Sequence, residues 1–387
     1  MATKTLTFKR TINVPAEQVY RAFTNATLLR EWFCDGAMVQ ARVGGRVYCQ
    51  WNDGSALMGT YAALVPEKKA VFTLRSDDPS DYSTNTVTLT EKSGITTLIL
   101  TDESDSKDRA KLLGAIEQGW NKALDNLQSV LETGVDQRYV NRPLIGLNGL
   151  EHRPSDEGVR IAGTTDGSGA RAAGLQKNDI LLSLGGKKTQ VISDIPPALN
   201  GHKAGDKVKV AFKRDGKPMN AVITLTARET PAIPANAELL AEIVARKYTE
   251  VNRDLTQAFK GISDDRAARR PAPGEWSALH VLAHLIECER ILHHWMKTLI
   301  AAQEPWQDEE EGNLQIRIDS IINGFPTIQA LLTELKRNEA ETVAILNALS
   351  DSFVARKGSF YRLSHKMLLW PDHTREHLDQ IRTAVRS

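Results

Sequence analysis

His373 and His377 stand four residues apart in the run His373-Thr374-Arg375-Glu376-His377. On a helix that spacing puts both imidazoles on one face, one turn apart, and makes them a two-nitrogen clamp for a divalent transition metal. A third imidazole from a facing helix would complete a three-ligand site with positions left for water or substrate, as catalytic metal sites require. Seven of the nine histidines, His280, His284, His293, His294, His365, His373 and His377, lie in the C-terminal third, so imidazole chemistry belongs there. His284 sits beside an apolar stripe through Leu285, Cys288 and Leu292, which points it inward or into a cleft. His280, one turn earlier, is a further candidate at the cleft mouth, and His293, His294 and His365 read as surface residues. Glu287, Glu289 and Glu376 are candidates to fix imidazole tautomers. The H-x3-H spacing is also what histidines on a solvated face show, so by itself it leaves both readings open.

Four amphipathic stretches must position these side chains: about Asn236 to Gly261, Ser277 to Gln303, Phe325 to Leu349 and Arg362 to Arg386. Polar or glycine-bearing joints separate them, the pattern of an all-α up-down four-helix bundle. Ser277 is a natural N-cap for the second stretch. Pro371 removes a helical hydrogen bond just before His373 and is expected to kink or restart the last helix there. The proline-bearing joint Thr230-Pro231-Ala232-Ile233-Pro234-Ala235 marks the boundary before the bundle.

Upstream, Thr5 to Val14 reads as a strand, and Pro15 opens a short helix toward Phe23. From Ala37 to Asp102, alternating β-branched stretches punctuated by Gly44-Gly45, Asn52-Asp53-Gly54 and Lys92-Ser93-Gly94 predict an antiparallel meander. Leu112, Ile116, Trp120, Ala123, Leu124, Leu127 and Leu131 recur at helical spacing, so a long helix over Lys111 to Leu131 closes this module. A second module follows through Arg142-Pro143-Leu144-Ile145-Gly146-Leu147, Gly158-Val159-Arg160-Ile161, Ala172-Ala173-Gly174-Leu175, Asp179 to Gly186 and Gly205-Asp206-Lys207-Val208.

On Val14-Pro15-Ala16, Glu31-Trp32, Val43-Gly44-Gly45, Gly59 and Gly119-Trp120, residues 1–137 resemble the START-like helix-grip (SRPBCC) superfamily, close to the activator of the heat-shock-protein ATPase. The resemblance implies a space between sheet and helix for an apolar small molecule, lined by Trp32, Trp51, Phe72 and Trp120 with Phe33, Tyr48 and Tyr61. The plain alternative is that these aromatics are core. The ordered motifs of residues 138–230 resemble an HtrA-like PDZ domain, a β-barrel-like fold. That implies a carboxylate-holding loop at Leu144, Ile145, Gly146 and Leu147, a receiving edge at Asn148 to Leu150, and a wall helix near Ser193 to Leu199. Two departures bear on it: Lys177-Asn178-Asp179 alters a turn, and Pro196-Pro197 is expected to break the wall helix, so that the groove is narrowed or closed. On Trp276-Ser277, His284-Leu285 and the H-x3-H run, residues 231–387 resemble the DinB/YfiT-like metal-binding bundle family. The resemblance implies His284, His373 and His377 as ligands of a divalent metal.

The whole chain, 387 residues, is long enough for several cores, and the fold class expected is multi-domain α+β. Its 49 basic and 48 acidic residues leave no field to steer it to nucleic acid or an anionic membrane, and neither is expected as a partner. No apolar run is long enough to span a membrane, and the N-terminal stretch lacks the apolar core of a secretory signal, so the expected compartment is the cytoplasm. Three cysteines without a CxxC pair favour reduced thiols. The modules together predict a multi-domain binding protein. An apolar ligand or chaperone client belongs to the first module, a C-terminal peptide to the second, and zinc, nickel or iron to the bundle. The alternative is a metal-dependent thiol transferase or isomerase, the chemistry that the DinB-like resemblance implies.

Overall fold

The structure, a computed structural model, describes residues 3–78, 82–151, 157–228, 230–306 and 314–386. The chain packs as two compact units: Met1–Tyr20 with Arg30–Val130 and Val135–Thr230, and Arg21–Leu29 with Leu131–Gly134 and Pro231–Ser387. Two antiparallel sheets occupy the first unit and the long helices of the C-terminal third occupy the second.

Strands β1 (Lys4–Ile12), β2 (Gly36–Val39), β3 (Arg46–Gln50), β4 (Ala56–Val65), β5 (Lys69–Arg75), β6 (Tyr82–Lys92) and β7 (Ile95–Ser104) form one sheet in the order β1-β7-β6-β5-β4-β3-β2. Along β7 the period of two turns Thr96, Leu98, Leu100, Asp102 and Ser104 inward. One end of this inner face is therefore polar, with Asp102, Ser104, Ser83 and Asn85 all buried. The helix Leu113–Thr133 buries Trp120, Leu124, Leu127 and Val130. Trp120 Nε1 donates to Asp102 Oδ2 at 3.0 Å, which ties helix to sheet. The long helix begins later than its apolar spacing predicts, because Ser106 caps a separate turn at Lys107–Lys111 that ends at Leu112.

In the second sheet, β8 (Leu147–Glu151), β9 (Val159–Thr164), β10 (Ile180–Leu184), β12 (Lys207–Arg214) and β13 (Lys217–Thr224) run in the order β13-β12-β10-β9-β8, with β11 (Lys187–Lys188) paired to β10. Val159, Ile161, Leu181, Leu184, Val210, Phe212 and Ile223 fill its core. The wall helix is a single turn, Ile195–Ala198. Pro196 and Pro197 stand in its first turn, where the missing N–H groups are ones that a helix start leaves unbonded anyway. They shorten the helix without breaking it. Asn178 takes a left-handed φ of 72° in the altered turn, and the neighbouring Asp179 is buried and held by Arg214 at 2.7 Å.

The C-terminal unit is built on Ala237–Ala258, Ala278–Ile300, Ile328–Asn347 and Lys357–Glu376, the last continued by Leu378–Arg386. Asn236, Ser277 and Thr327 cap the first three with side-chain oxygens. A further helix, Gln315–Gly324, occupies the joint and sinks Ile318 and Ile321 into the core. The interruption in the last helix falls at His377, not at Pro371, which lies inside the Lys357–Glu376 helix. Proline at 371 disturbs the local ladder, and Lys247 Nζ donates to the Leu368 carbonyl at 2.5 Å while pairing with Asp372 at 3.3 Å.

Candidate metal centre

His284 projects from the Ala278–Ile300 helix, His373 from Lys357–Glu376, and His377 caps that helix. The ring centroids lie 5.4 Å apart for His284 and His373, 4.9 Å for His284 and His377, and 4.7 Å for His373 and His377. His373 Nε2 and His377 Nε2 are 3.2 Å apart. A tetrahedral ion about 2.0–2.1 Å from two imidazole nitrogens sets them about 3.3 Å from each other, so this separation suits the clamp. His377 Nδ1 lies 2.8 Å from Gln380 Oε1; donation to that oxygen puts the proton on Nδ1 and leaves the Nε2 lone pair toward His373. Burial, reinforced by His377 and His284, pushes the His373 imidazole down to about 4 and keeps it in the neutral, ligating form. Trp276 packs over His284 with centroids 5.3 Å apart, and Trp370 over His373 at 5.6 Å.

Cys288 joins the cluster. Its Sγ is 3.6 Å from His284 Nδ1 and 3.5 Å from Nε2, and one donor atom each of His284, Cys288 and His373 lie within 4.8 Å of one another. The sequence carried the signal, since Cys288 stands four residues after His284 on the same helical face. Burial, with the charges of Glu289 and Glu287, pushes the thiol up to about 12. His280 is engaged elsewhere: Nδ1 meets Ser277 Oγ at 2.6 Å and Nε2 meets Arg270 Nη2 at 2.9 Å. Two of the glutamates named as tautomer-fixing candidates are engaged elsewhere, Glu287 with Arg317 at 2.9 Å and Glu289 with Tyr248, Thr342 and Trp370, and the residue that meets His377 is Gln380.

A polar core lies beside the centre. Glu289 accepts from Tyr248 Oη at 2.9 Å, Thr342 Oγ1 at 2.8 Å and Trp370 Nε1 at 2.7 Å. Half-buried His293 extends the network through Thr342 Oγ1 at 2.8 Å, so it is not a surface residue. Desolvation raises Glu289 and pushes Glu339 up to about 8.

The PDZ-like loop lies in one groove. Leu144, Ile145, Gly146 and Leu147 line a cleft of about 620 Å³ together with Ile195, Pro196 and Leu199 of the wall and with Asp35, Trp51, Asn52 and Asp53 of the first module. Gly146 takes φ 82°, and a Cβ there would lie 2.0 Å from Ser168 Cβ, so the loop needs glycine. The adjoining strand β8 is the sheet edge, so strand addition has a place to occur. In the first module Trp32, Trp51 and Trp120 line a cavity of about 380 Å³, with Phe33 stacked on Trp120 at 5.6 Å. Phe72 is not among the residues that line it; it is buried edge-on against Tyr61, its cross-strand partner on β4, at 6.0 Å.

Two sheet modules and a helical module with clustered imidazoles define the class: a mixed α+β protein with a START-like, a PDZ-like and a DinB-like part. Three family models match in succession: Activator of Hsp90 ATPase homolog 1-like protein at residues 13–132, PDZ domain at 144–225 and DinB superfamily at 247–381. The chain is 32% identical over 161 residues to a probable periplasmic serine endoprotease DegP-like of Pseudomonas fluorescens, covering 40% of this chain and 31% of the relative. It is 24% identical over 165 residues to the periplasmic pH-dependent serine endoprotease DegQ of Escherichia coli, covering 40% and 36%. The chain thus spans about a third of the length of these relatives. Protein MLL2253 from Mesorhizobium loti, of known crystal structure, is 26% identical, covering 33% of this chain and 96% of that one with a TM-score of 0.31.

Proposed function

We propose that this chain is a cytoplasmic multi-domain binding protein whose C-terminal bundle holds one divalent transition metal on His284, His373 and His377. The convergence of three imidazoles from two helices, with two Nε2 atoms 3.2 Å apart, carries the reading. Neutral nitrogen donors suit zinc, nickel or iron. When bound, such an ion supplies Lewis acidity and lowers the pKa of a bound water or thiol. The chain's own part is to keep His373 neutral by burial, to fix the His377 tautomer through Gln380, and to cover the rings with Trp276 and Trp370. The PDZ-like groove takes a C-terminal peptide, and the first module takes a ligand in its aromatic cavity or a protein client.

A second reading, a metal-dependent thiol transferase or isomerase, draws support from the Cys288 sulfur at 3.5 Å from His284, which shows that a sulfur atom fits beside the imidazoles. If Cys288 ligates, the site is closed and structural; if it does not, a position is open to a cosubstrate. Elemental analysis of protein purified without an affinity tag tests the metal assignment. Roughly one equivalent of a transition metal per chain is expected, falling sharply in His284→Ala and His373→Ala with the helical circular dichroism retained. Metal at background level in the wild type, or equal content in all three, overturns it.

A further inference from the structure

The cavity beneath the Leu113–Thr133 helix joins two unlike surfaces. Trp32, Phe33, Trp51 and Trp120 give it an aromatic wall, and the charged residues around it are Arg75, Arg109, Lys122 and Arg138 against one carboxylate, Asp102. Asp102 is neutralised within the protein, since Arg109 Nη2 donates to both its oxygens at 3.0 and 2.7 Å and Trp120 Nε1 adds a third bond. Arg138 is paired with Asp136 at 2.9 Å, and its Nη1 is buried without a hydrogen-bond partner among the described residues. The two exposed cations, Arg75 and Lys122, have no ion-pair partner among the described residues; Arg75 donates to the Met58 sulfur at 3.4 Å. A volume of about 380 Å³ with apolar walls and unneutralised positive charge attracts a molecule with an apolar body and one negative charge.

Gly119 gives a second observation. It stands inside a helix, where glycine is less favourable than alanine, yet a Cβ at this position would meet nothing within 4 Å. Packing does not require the glycine. It is exposed and lines the cavity, so it stands at the rim, where a side chain would extend into open space. We infer that the first module binds an amphipathic monoanion, an apolar carboxylate whose body lies against the tryptophans and whose charge faces Arg75 and Lys122, and that Gly119 keeps the mouth open. This rests on the reading of the first module as ligand-binding.

Titration calorimetry of the full chain with decanoate and with decanol tests both. Decanoate is expected to bind about tenfold more tightly, with the advantage shrinking at high salt. The Arg75→Gln/Lys122→Gln double variant should lose that tenfold for decanoate and keep the wild-type affinity for decanol. Gly119→Leu should abolish binding of both, and Gly119→Ala should raise the melting temperature, which shows that substitution at 119 leaves the fold intact. Equal binding of decanol and decanoate, or a double variant that matches wild type, overturns the anion assignment alone. Undiminished binding by Gly119→Leu overturns the site. If neither compound binds the wild type, the ligand-binding reading of the module falls with it.

Discussion

At the residue scale, burial acts in opposite directions on two groups of the bundle. His373 is pushed down to about 4 and stays neutral as a base; Glu339 is pushed up to about 8 and stays neutral as an acid. Asn252 Nδ2 donates to Glu339 Oε2, while Glu339 Oε1 and Asn252 Oδ1 are buried without a partner among the described residues, a shortage of donors that a protonated carboxyl relieves. Because the folded pKa of Glu339 lies above its ordinary 4.5, its contribution to stability is complete below that value and is lost as pH rises through about 8. His373 acts in the other direction: its contribution is present above 6.5 and lost as pH falls through about 4. Above pH 6.5 the His373 contribution is complete, and substitution of Glu339 alone separates its part from that of Glu289, which desolvation also raises. Between there and pH 8, metal-free wild type should lose stability on the order of a kcal/mol or more, and Glu339→Gln should remove that slope and be the more stable at pH 8. Urea unfolding at the two pH values measures it; parallel curves for wild type and variant would contradict the assignment. The imidazole pair was legible from its spacing, and Cys288 was legible in principle from the same helical period. Glu339 was not, since a glutamate in a helical run reads as solvent-facing until the facing helices show what buries it.

At the element scale, periodicity placed the four long helices and the strand-rich first module, while their ends moved with capping. Ser106 and Thr327 decide where helical turns start, and the hydrophobic pattern does not encode those positions sharply. The prolines show the same limit. Pro196 and Pro197 predict a broken wall helix only if they fall in its interior, and the chain instead uses them in its first turn. Pro371 predicts a kink or restart before His373, yet the helix runs on to Glu376, with the Lys247 ammonium on the Leu368 carbonyl one residue past the one the proline leaves without its donor. With the wall in place, a C-terminal peptide with an apolar last residue should bind the groove at Leu144 to Leu147. Amide capping of its carboxylate should weaken it about tenfold, the loss of one charge-assisted contact to backbone N–H groups. Fluorescence anisotropy with the two peptides checks this, and equal affinities would leave the module a spacer.

At the scale of the whole molecule, composition and length indicated several cores and no basic or membrane-spanning surface, and among the described residues no helix is long and apolar enough to cross a membrane. Module identity was legible because each module carries its own ordered motifs. Which side chains of different helices meet was not, because it depends on how helices pack and on no spacing within any one of them. On the proposed reading the bundle holds a transition metal on His284, His373 and His377. Cobalt(II) titration of the metal-free chain, followed by visible absorption, tests it most directly. Wild type should take up roughly one equivalent with the intense bands of a four-coordinate ion, and His284→Ala and His377→Ala should each lose those bands and bind at least about tenfold more weakly. A near-ultraviolet sulfur-to-cobalt band that disappears in Cys288→Ser would place the thiol in the site, and its absence would leave that position open. Cobalt uptake without four-coordinate bands, or equal uptake by wild type and His284→Ala, would contradict the account.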